Sequence, residues 1–162
     1  MIDTSSFRRL LGRFASGIAI ITARDGDRDV GMTVSAFCSA SLSPPLVLVC
    51  VDSKASMHDL LLRHPKLGIS IIGSEHEAHS RRFADKNETR RFDGVPFTRG
   101  ESSVMLLDDA AAQLECQLVS HHRAGDHTIF IAEVERGLMG DAEPLLHFGG
   151  RYAQLATTAA MS

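Results

Sequence analysis

Hydrophobic and polar positions recur with two different periods along this chain, and each change of period marks a predicted element. Phe7, Leu10, Leu11 and Phe14 fall at i, i+3, i+4 and i+7, which predicts an amphipathic helix over Thr4 to Ala15, ending near Gly17. Its apolar face needs a sheet or a partner to cover it. Ile18 to Thr22 is a short β-prone run, and Asp25-Gly26-Asp27 is a turn signal leading to a second strand from Val30 to about Cys38, so the pair predicts a hairpin. After Pro44-Pro45 the run Leu46 to Val51 is apolar without a break. That pattern suits a strand buried on both faces, at the centre of the core.

Ser56 stands where it can cap a helix from Met57 to His64, with Asp59 near the positive end and Met57, Leu60 and Leu61 along one side. Leu67 to Ile72 reads as another strand, and Ser74 to Glu77 fits a capping box opening a helix to about Ala84. From Asp85 to Ser103 the chain is polar and interrupted by Gly94, Pro96 and Gly100, which predicts a long irregular loop of the kind that often carries function. Ala112 to His121 and His127 to Gly137 are strand-like segments around the turn Arg123 to Asp126, and Leu145 to Phe148 adds one more. Six or so strands with few helices predict a barrel. There is no internal repeat or linker, only a small-residue tail after Leu155.

Composition narrows the classes. At 162 residues the expectation is one domain, residues 1–162, hosting every function. A net charge of -3, from 17 basic and 20 acidic residues mixed along the chain, gives no basic stripe for nucleic acid or anionic lipid. Cys38, Cys50 and Cys116 form no CxxC pair and sit in apolar stretches, and the odd count favours a reducing compartment. With no leader pattern at Met1 to Ser5 and no run of eighteen apolar residues, the expectation is a soluble cytoplasmic protein with no membrane partner.

Several common motifs fail on inspection. Gly12 to Gly17 has P-loop glycine spacing, but Ile18-Ala19 follow where lysine and a hydroxyl residue are needed. No GxGxxG opens a helix, so a nicotinamide cofactor is not held by a Rossmann unit. His76 and His79 lack the HExxH spacing, and His121 and His122 point to opposite faces of a strand, so no metal site is expected. Neither GxSxG nor a catalytic cysteine signature is present.

Two segments do suggest chemistry. Along Gly31 to Pro45 small hydroxyl residues alternate on a strand and stop at a double proline; the simpler reading is an edge strand facing water, the sharper one a ligand wall. Backbone groups and short hydroxyls there suit a flat ring such as isoalloxazine. Ser53-Lys54-Ala55-Ser56 precedes a predicted helix, whose free N–H groups and dipole favour a phosphate, although a capped helix explains the same residues.

The block Gly31-Met32-Thr33-Val34-Ser35-Ala36-Phe37, continuing to Pro44-Pro45-Leu46-Val47, resembles the short-chain flavin reductase family, whose pattern is G-[ML]-T-[AV]-S-A-F-x-S-x-S-x-x-P-P-L. Phe83-Ala84 with Phe92 to Phe97, then Gly125 to Val134, then Pro144 to Tyr152, resemble family blocks in the same order. The four blocks cover the chain from about Phe7 to Leu155. The resemblance implies a mainly β fold with a few flanking helices, the FMN-binding split β-barrel, in a homodimer with flavin near the subunit interface. It places Thr33, Val34, Ser35 and Ala36 along the ring and Cys50, Val51 and Asp52 along the ribityl chain. Ser53, Lys54, Ala55 and Ser56 surround the phosphate, Arg82 and Phe83 approach phosphate or ribityl, and Arg151 and Tyr152 close the site. His127 lies near nicotinamide and flavin and is the one catalytic candidate. Ala55 and Met57 replace two hydroxyls found in many relatives, which leaves FMN against FAD open.

The implied activity is an NAD(P)H:flavin oxidoreductase that moves hydride from NADH or NADPH to FMN or FAD and supplies reduced flavin to a partner monooxygenase. The cofactors carry the chemistry, so no strong acid or base is required. The alternatives are a non-catalytic flavin or haem carrier on the same barrel and, ranked last, oxidation of a small substrate as in the pyridoxamine-phosphate oxidase branch.

Overall fold

In the computed structural model, which describes residues 1–156, helix α1 (Thr4–Leu11) starts at Asp3, whose side chain accepts the Ser6 N–H, and ends at Gly12, short of the predicted Ala15. None of its residues is buried. All but the first residue of the small-residue tail after Leu155 lies outside the described residues. After β1 (Ser16–Gly17) the expected hairpin forms from β2 (Ala19–Asp25) and β3 (Arg28–Val34), turned by Gly26 at φ 59°, a left-handed conformation that glycine adopts without strain. The second strand does not run on to Cys38. It breaks at exposed Ser35 and Ala36, and the chain resumes as β4 (Phe37–Leu42), which turns at the cis Ser43–Pro44 bond into β5 (Pro45–Asp52).

Helix α2 (Ser56–Arg63), strand β6 (Lys66–Ile71), a 3-10 turn (Ser74–His76) and helix α3 (Glu77–Ala84) follow. The Ser74 to Glu77 capping box does not form: the turn intervenes, His76 holds the N-cap of α3, and no side chain caps either element. The segment predicted as an irregular loop contains β7 (Phe97–Arg99), paired with β8 (Met105–Leu107). The long hairpin of β9 (Ala112–Ala124) and β10 (His127–Met139) precedes β11 (Leu146–Phe148) and β12 (Arg151–Ala153).

Seven strands form one antiparallel sheet in the order β3-β2-β6-β9-β10-β5-β4, with smaller sheets β1-β11-β12 and β7-β8. Strands β3 and β4 sit at opposite edges, yet only Ser35 and Ala36 separate them in the chain. Such a link spans at most ~11 Å, whereas the edges of a flat seven-stranded sheet stand ~29 Å apart. The sheet therefore curls nearly shut, leaving a slit between β3 and β4. This is the expected mainly β split barrel.

One face of the sheet collects Ile21, Val49, Val51, Leu67, Ile69 and Phe130 and packs on Met57, Leu60 and Leu61 of α2. The opposite face is divided. Over β2, β6 and β9 it is roofed by β7, β8 and the residues around Leu107 and Leu145. Over β10, β5 and β4 none of the described residues roofs it, and Leu46, Leu48, Cys50, Ile129 and Ile131 are half-exposed. The run Leu46 to Val51 is thus buried on one face only, at Val47, Val49 and Val51, because the other half of its apolar pattern meets no cover among the described residues.

Candidate functional site

The edge strand β3 carries Thr33 beside the slit. Its Oγ1 donates to the Ser80 carbonyl on α3 at 2.6 Å, and the Ser80 hydroxyl shares a 2.9 Å hydrogen bond with the Tyr152 hydroxyl on β12. Three elements are thereby fixed around one strand end. On α3, Phe83 is buried with its ring centroid 5.1 Å from that of Phe92 and 5.6 Å from that of Phe97. A Cβ on Gly31 would stand 2.6 Å from the Phe83 ring, so glycine is what lets α3 dock this closely. Beside this contact opens a cavity of about 350 Å³, lined by Met32 and Thr33, by Phe83 and Ala84, by Lys54, Ala55 and Ser56, and by Lys86 and Arg91.

The start of α2 differs from its prediction. Ser56 is the first helical residue rather than the cap, and Ala55 occupies the N-cap, where it has no side-chain acceptor to offer. The end of the helix is left open to an anion, with Lys54 and Ser56 exposed beside it. Asp52 builds the preceding loop: its Oδ1 accepts the Lys54 N–H and its carbonyl the Ala55 N–H, both at 2.9 Å, while the Ser53 N–H reaches the Asp126 carbonyl at 3.0 Å. Across the cavity the Arg91 Nη2 donates to the Asp85 carbonyl at 2.6 Å, but its Nε is buried with no acceptor among the described residues. An uncapped helix end, a hydroxyl and three cations, one with an orphaned N–H, suit a phosphate. The apolar floor and wall at Met32 and Phe83 suit a ring.

Of the residues singled out from the sequence, Thr33, Lys54, Ala55, Ser56 and Phe83 line this cavity together. Val34 and Val51 are only 6% and 0% exposed, so their side chains belong to the core and only their backbone can meet a ligand. Ser35 and Ala36 are exposed at the slit. Cys50 faces the unroofed side, its thiol pushed up by burial and by the neighbouring Cys38. The Arg82 guanidinium is occupied elsewhere: it donates to the Asp93 and Arg90 carbonyls at 2.7 and 2.6 Å and pins the loop after α3. Arg151 and Tyr152 line a separate cavity of about 490 Å³ with Glu77, Arg81 and His147, in which the Arg81 guanidinium stacks 4.5 Å from the Tyr152 ring centroid. His127 pairs with Asp52 across the strands, and its Nδ1 lies 2.8 Å from the Asp126 carboxylate, which that bond and the imidazole charge hold below the usual range.

Three contributors were not singled out from the sequence. Lys86 and Arg91 lie in the polar loop, where nothing in residue order distinguishes them from the other cations. His58 on α2 places Nε2 at 2.9 Å from the Thr128 hydroxyl and Nδ1 at 3.0 Å from the Asp59 carboxylate, and so ties α2 to β10 beside His127.

A family model described as flavin reductase like domain matches residues 11–156. The NADH-dependent FAD reductase of Streptomyces globisporus is 38% identical over 97% of this chain and 88% of its own length. The solved structure of the Streptomyces globisporus NADH:FAD oxidoreductase in complex with NAD and FAD fragments superimposes with a TM-score of 0.92 at 38% identity, over 97% of this chain and 95% of that one. The styrene monooxygenase flavin reductase of Pseudomonas putida does so with a TM-score of 0.87 at 32% identity, over 95% and 99%.

Proposed function

The chain belongs to the flavin reductase like domain family, and from that membership and the cavity beneath β3 we propose that it is an NADH-dependent flavin reductase. Bound flavin, FMN or FAD, supplies the redox chemistry by accepting a hydride equivalent from NADH. The protein supplies position, dryness and charge. Thr33 has its hydroxyl proton committed to Ser80, so Oγ1 faces the cavity as an acceptor, held there by Tyr152 through Ser80. Met32 and Phe83 exclude water from the ring. The open end of α2 with Lys54, Lys86 and Arg91 holds the phosphate. Val34, Ser35, Ala36, Cys50, Val51, Asp52 and Ser53 border the flavin mainly through backbone, while Arg82 acts by pinning the loop. His127 faces the nicotinamide, its Nδ1 oriented by Asp126. Tyr152 acts on the cavity through Ser80, and Arg151 stands beside it on the separate cavity.

The same reading makes residues 1–162 one domain of a cytoplasmic homodimer. Two observations support a second copy: the half-exposed apolar face of β5 and β10, and α1 with the turn after it, where Phe7, Leu10 and Leu11 of the helix and Phe14 beyond it are all exposed. No helix among the described residues is long and apolar enough to cross a membrane, and all three cysteines are free. Reduced flavin passes to a partner monooxygenase, as the relative named for styrene monooxygenase indicates.

The cavity with its cationic mouth carries the reading. The test follows the near-ultraviolet absorbance of NADH in air with and without added FMN and FAD. Flavin-dependent loss supports the reductase; flavin binding without any loss overturns it in favour of a carrier.

A further inference from the structure

The start of α2 borders the flavin cavity, and its last turn borders a different one. This second cavity, of about 320 Å³, shares no residue with the first and is lined by Leu61, Leu62, Arg63 and Pro65, by β9 from Leu118 to His121, and by buried Phe130. It exists because β6 begins at Lys66, opposite Gln117, so β9 runs on past its neighbour with one edge uncovered. A register shift then leaves Val119 without a partner on β10, since Leu118 faces Ala132 and Ser120 already faces Ile131. Such a bulge re-aims a side chain, and Val119 stands 49% exposed at the cavity, with Leu62 at 45%.

Three kinds of group meet here. The first is apolar surface, from Leu62, Val119 and Phe130. The second is a set of backbone acceptors: Leu61, Leu62 and Arg63 end α2, so no later turn bonds their carbonyls. Pro65, four residues after Leu61, has no N–H to give, and no hydrogen bond reaches these three carbonyls among the described residues. The third is a cation. Arg63 Nε donates to the Asp59 carbonyl at 3.2 Å, but its terminal nitrogens have no partner and it forms no ion pair among the described residues. The lining includes no acidic residue.

We propose that this cavity binds an apolar α-amino acid as its zwitterion. The ammonium group donates to the open carbonyls at the negative end of the α2 dipole, the carboxylate takes the terminal nitrogens of Arg63, and the side chain lies against Leu62, Val119 and Phe130. A simple carboxylic acid would leave the carbonyls unpaired and set its charge against the helix end. A simple amine would leave Arg63 unpaired. Only a molecule carrying both charges beside an apolar body matches all three kinds of group. Flavins and NADH offer no ammonium, and their cavity lies at the opposite end of α2, whose eight residues span about 12 Å.

The test is an NMR titration of the full chain with L-phenylalanine, with N-acetyl-phenylalanine, which lacks the ammonium, and with phenylalaninamide, which lacks the carboxylate. Phenylalanine is expected to shift the amides of residues 61–64 and 118–121 saturably, with a Kd of about 1 mM, and each analogue to bind about tenfold more weakly, the worth of one charge-assisted contact. Arg63→Gln should bring phenylalanine down to the level of phenylalaninamide while changing phenylalaninamide by less than about twofold, and Val119→Glu should abolish the shifts. Both positions are exposed, and an otherwise unchanged spectrum checks that each variant is folded. No saturable shift up to about 50 mM phenylalanine overturns the site, as does equal binding of all three compounds, which would mean an apolar recess without head-group recognition. Shifts that vanish when FMN is added would place phenylalanine in the flavin cavity and overturn it as well.

Discussion

The roofed and unroofed halves of one sheet face solve the same problem with opposite chemistry. Under the roof the strands present several polar groups beside the buried Ile20, and each of those groups finds a built-in partner. Thr22 donates to the Met105 carbonyl at 2.5 Å, buried Ser70 accepts the Leu107 N–H at 2.9 Å, and Gln113 donates to the Leu107 carbonyl at 2.6 Å. Buried Glu115 takes the N–H groups of Glu101 and Ser102 and the Ser102 hydroxyl. The bare half presents Leu46, Leu48, Cys50, Ile129 and Ile131. A cover from the same chain arrives in fixed register, so hydrogen bonds can be matched to it. A cover from a separate molecule is met best by apolar surface, which is non-directional and leaves no donor stranded when the partner is absent.

The sharpest way to break this comparison is to charge the bare half. Ile131→Glu would bury two carboxylates across an isologous interface and is expected to weaken the proposed dimer by at least about 100-fold, roughly 3 kcal/mol. Sedimentation would show monomer at concentrations where the wild type is paired. The monomer itself should lose no more than ~0.5 kcal/mol of stability, since this side chain already meets water in the isolated chain. A wild type that sediments as monomer at every concentration would end the assembly reading.

The roofed half should respond in the reverse sense. Glu115→Gln weakens the acceptor for three donors at the turn before β8, where Ser103 sits at φ 67°, and should cost about 1.5–3 kcal/mol at neutral pH with the dimer unchanged. Burial pushes the Glu115 carboxyl up, but the Ser102 and Glu101 hydrogen bonds and the Arg136 charge outweigh it and hold the group below its usual value. A lowered folded value means the contribution is complete above the ordinary glutamate range and disappears as pH falls through the folded value. The gap between wild type and Glu115→Gln should therefore start to narrow only once the pH falls below the ordinary glutamate range, as denaturant titrations would show. Ser70→Ala, which strands the Leu107 N–H, should cost less, about 1–2 kcal/mol, in the same assay.

The two halves were not equally legible in the sequence. Alternation and the Asp25 to Asp27 turn predicted the β2–β3 hairpin, and the segments flanking Gly125 predicted β9 and β10. The roof was hidden because Phe97–Arg99 and Met105–Leu107 are three residues each, too short for any period, inside a polar stretch. The run Leu46 to Val51 shows that two faces are apolar but not whose atoms cover the second. At the site, the Gly31 to Pro45 block and the Ser53 to Ser56 loop were readable as neighbours of one ligand. Lys86, Arg91 and the capping role lost to Ala55 were not, since they depend on where a long loop folds back and on which residue closes the first helical turn.

The gentlest probe of the comparison leaves stability untouched and reads the thiols. Cys116 lies fully buried on the face that α2 covers, and burial, with the charges of Glu135 and Glu115, pushes its thiol up to about 12. Cys50 lies on the bare half, half-exposed and only partly desolvated, and Cys38 on the adjoining strand is exposed. Alkylation requires both access and thiolate, so iodoacetamide labelling followed by mass spectrometry should modify Cys38 first, Cys50 next and Cys116 only on unfolding. The informative step is to repeat the labelling on Ile131→Glu. A second copy lying over the bare half would shield Cys50 in the wild type, so the variant should label Cys50 several-fold faster while Cys116 stays unchanged. Equal Cys50 rates in the two proteins would mean that this half stays open in solution, and its apolar pattern would then have to be explained by the ligand alone.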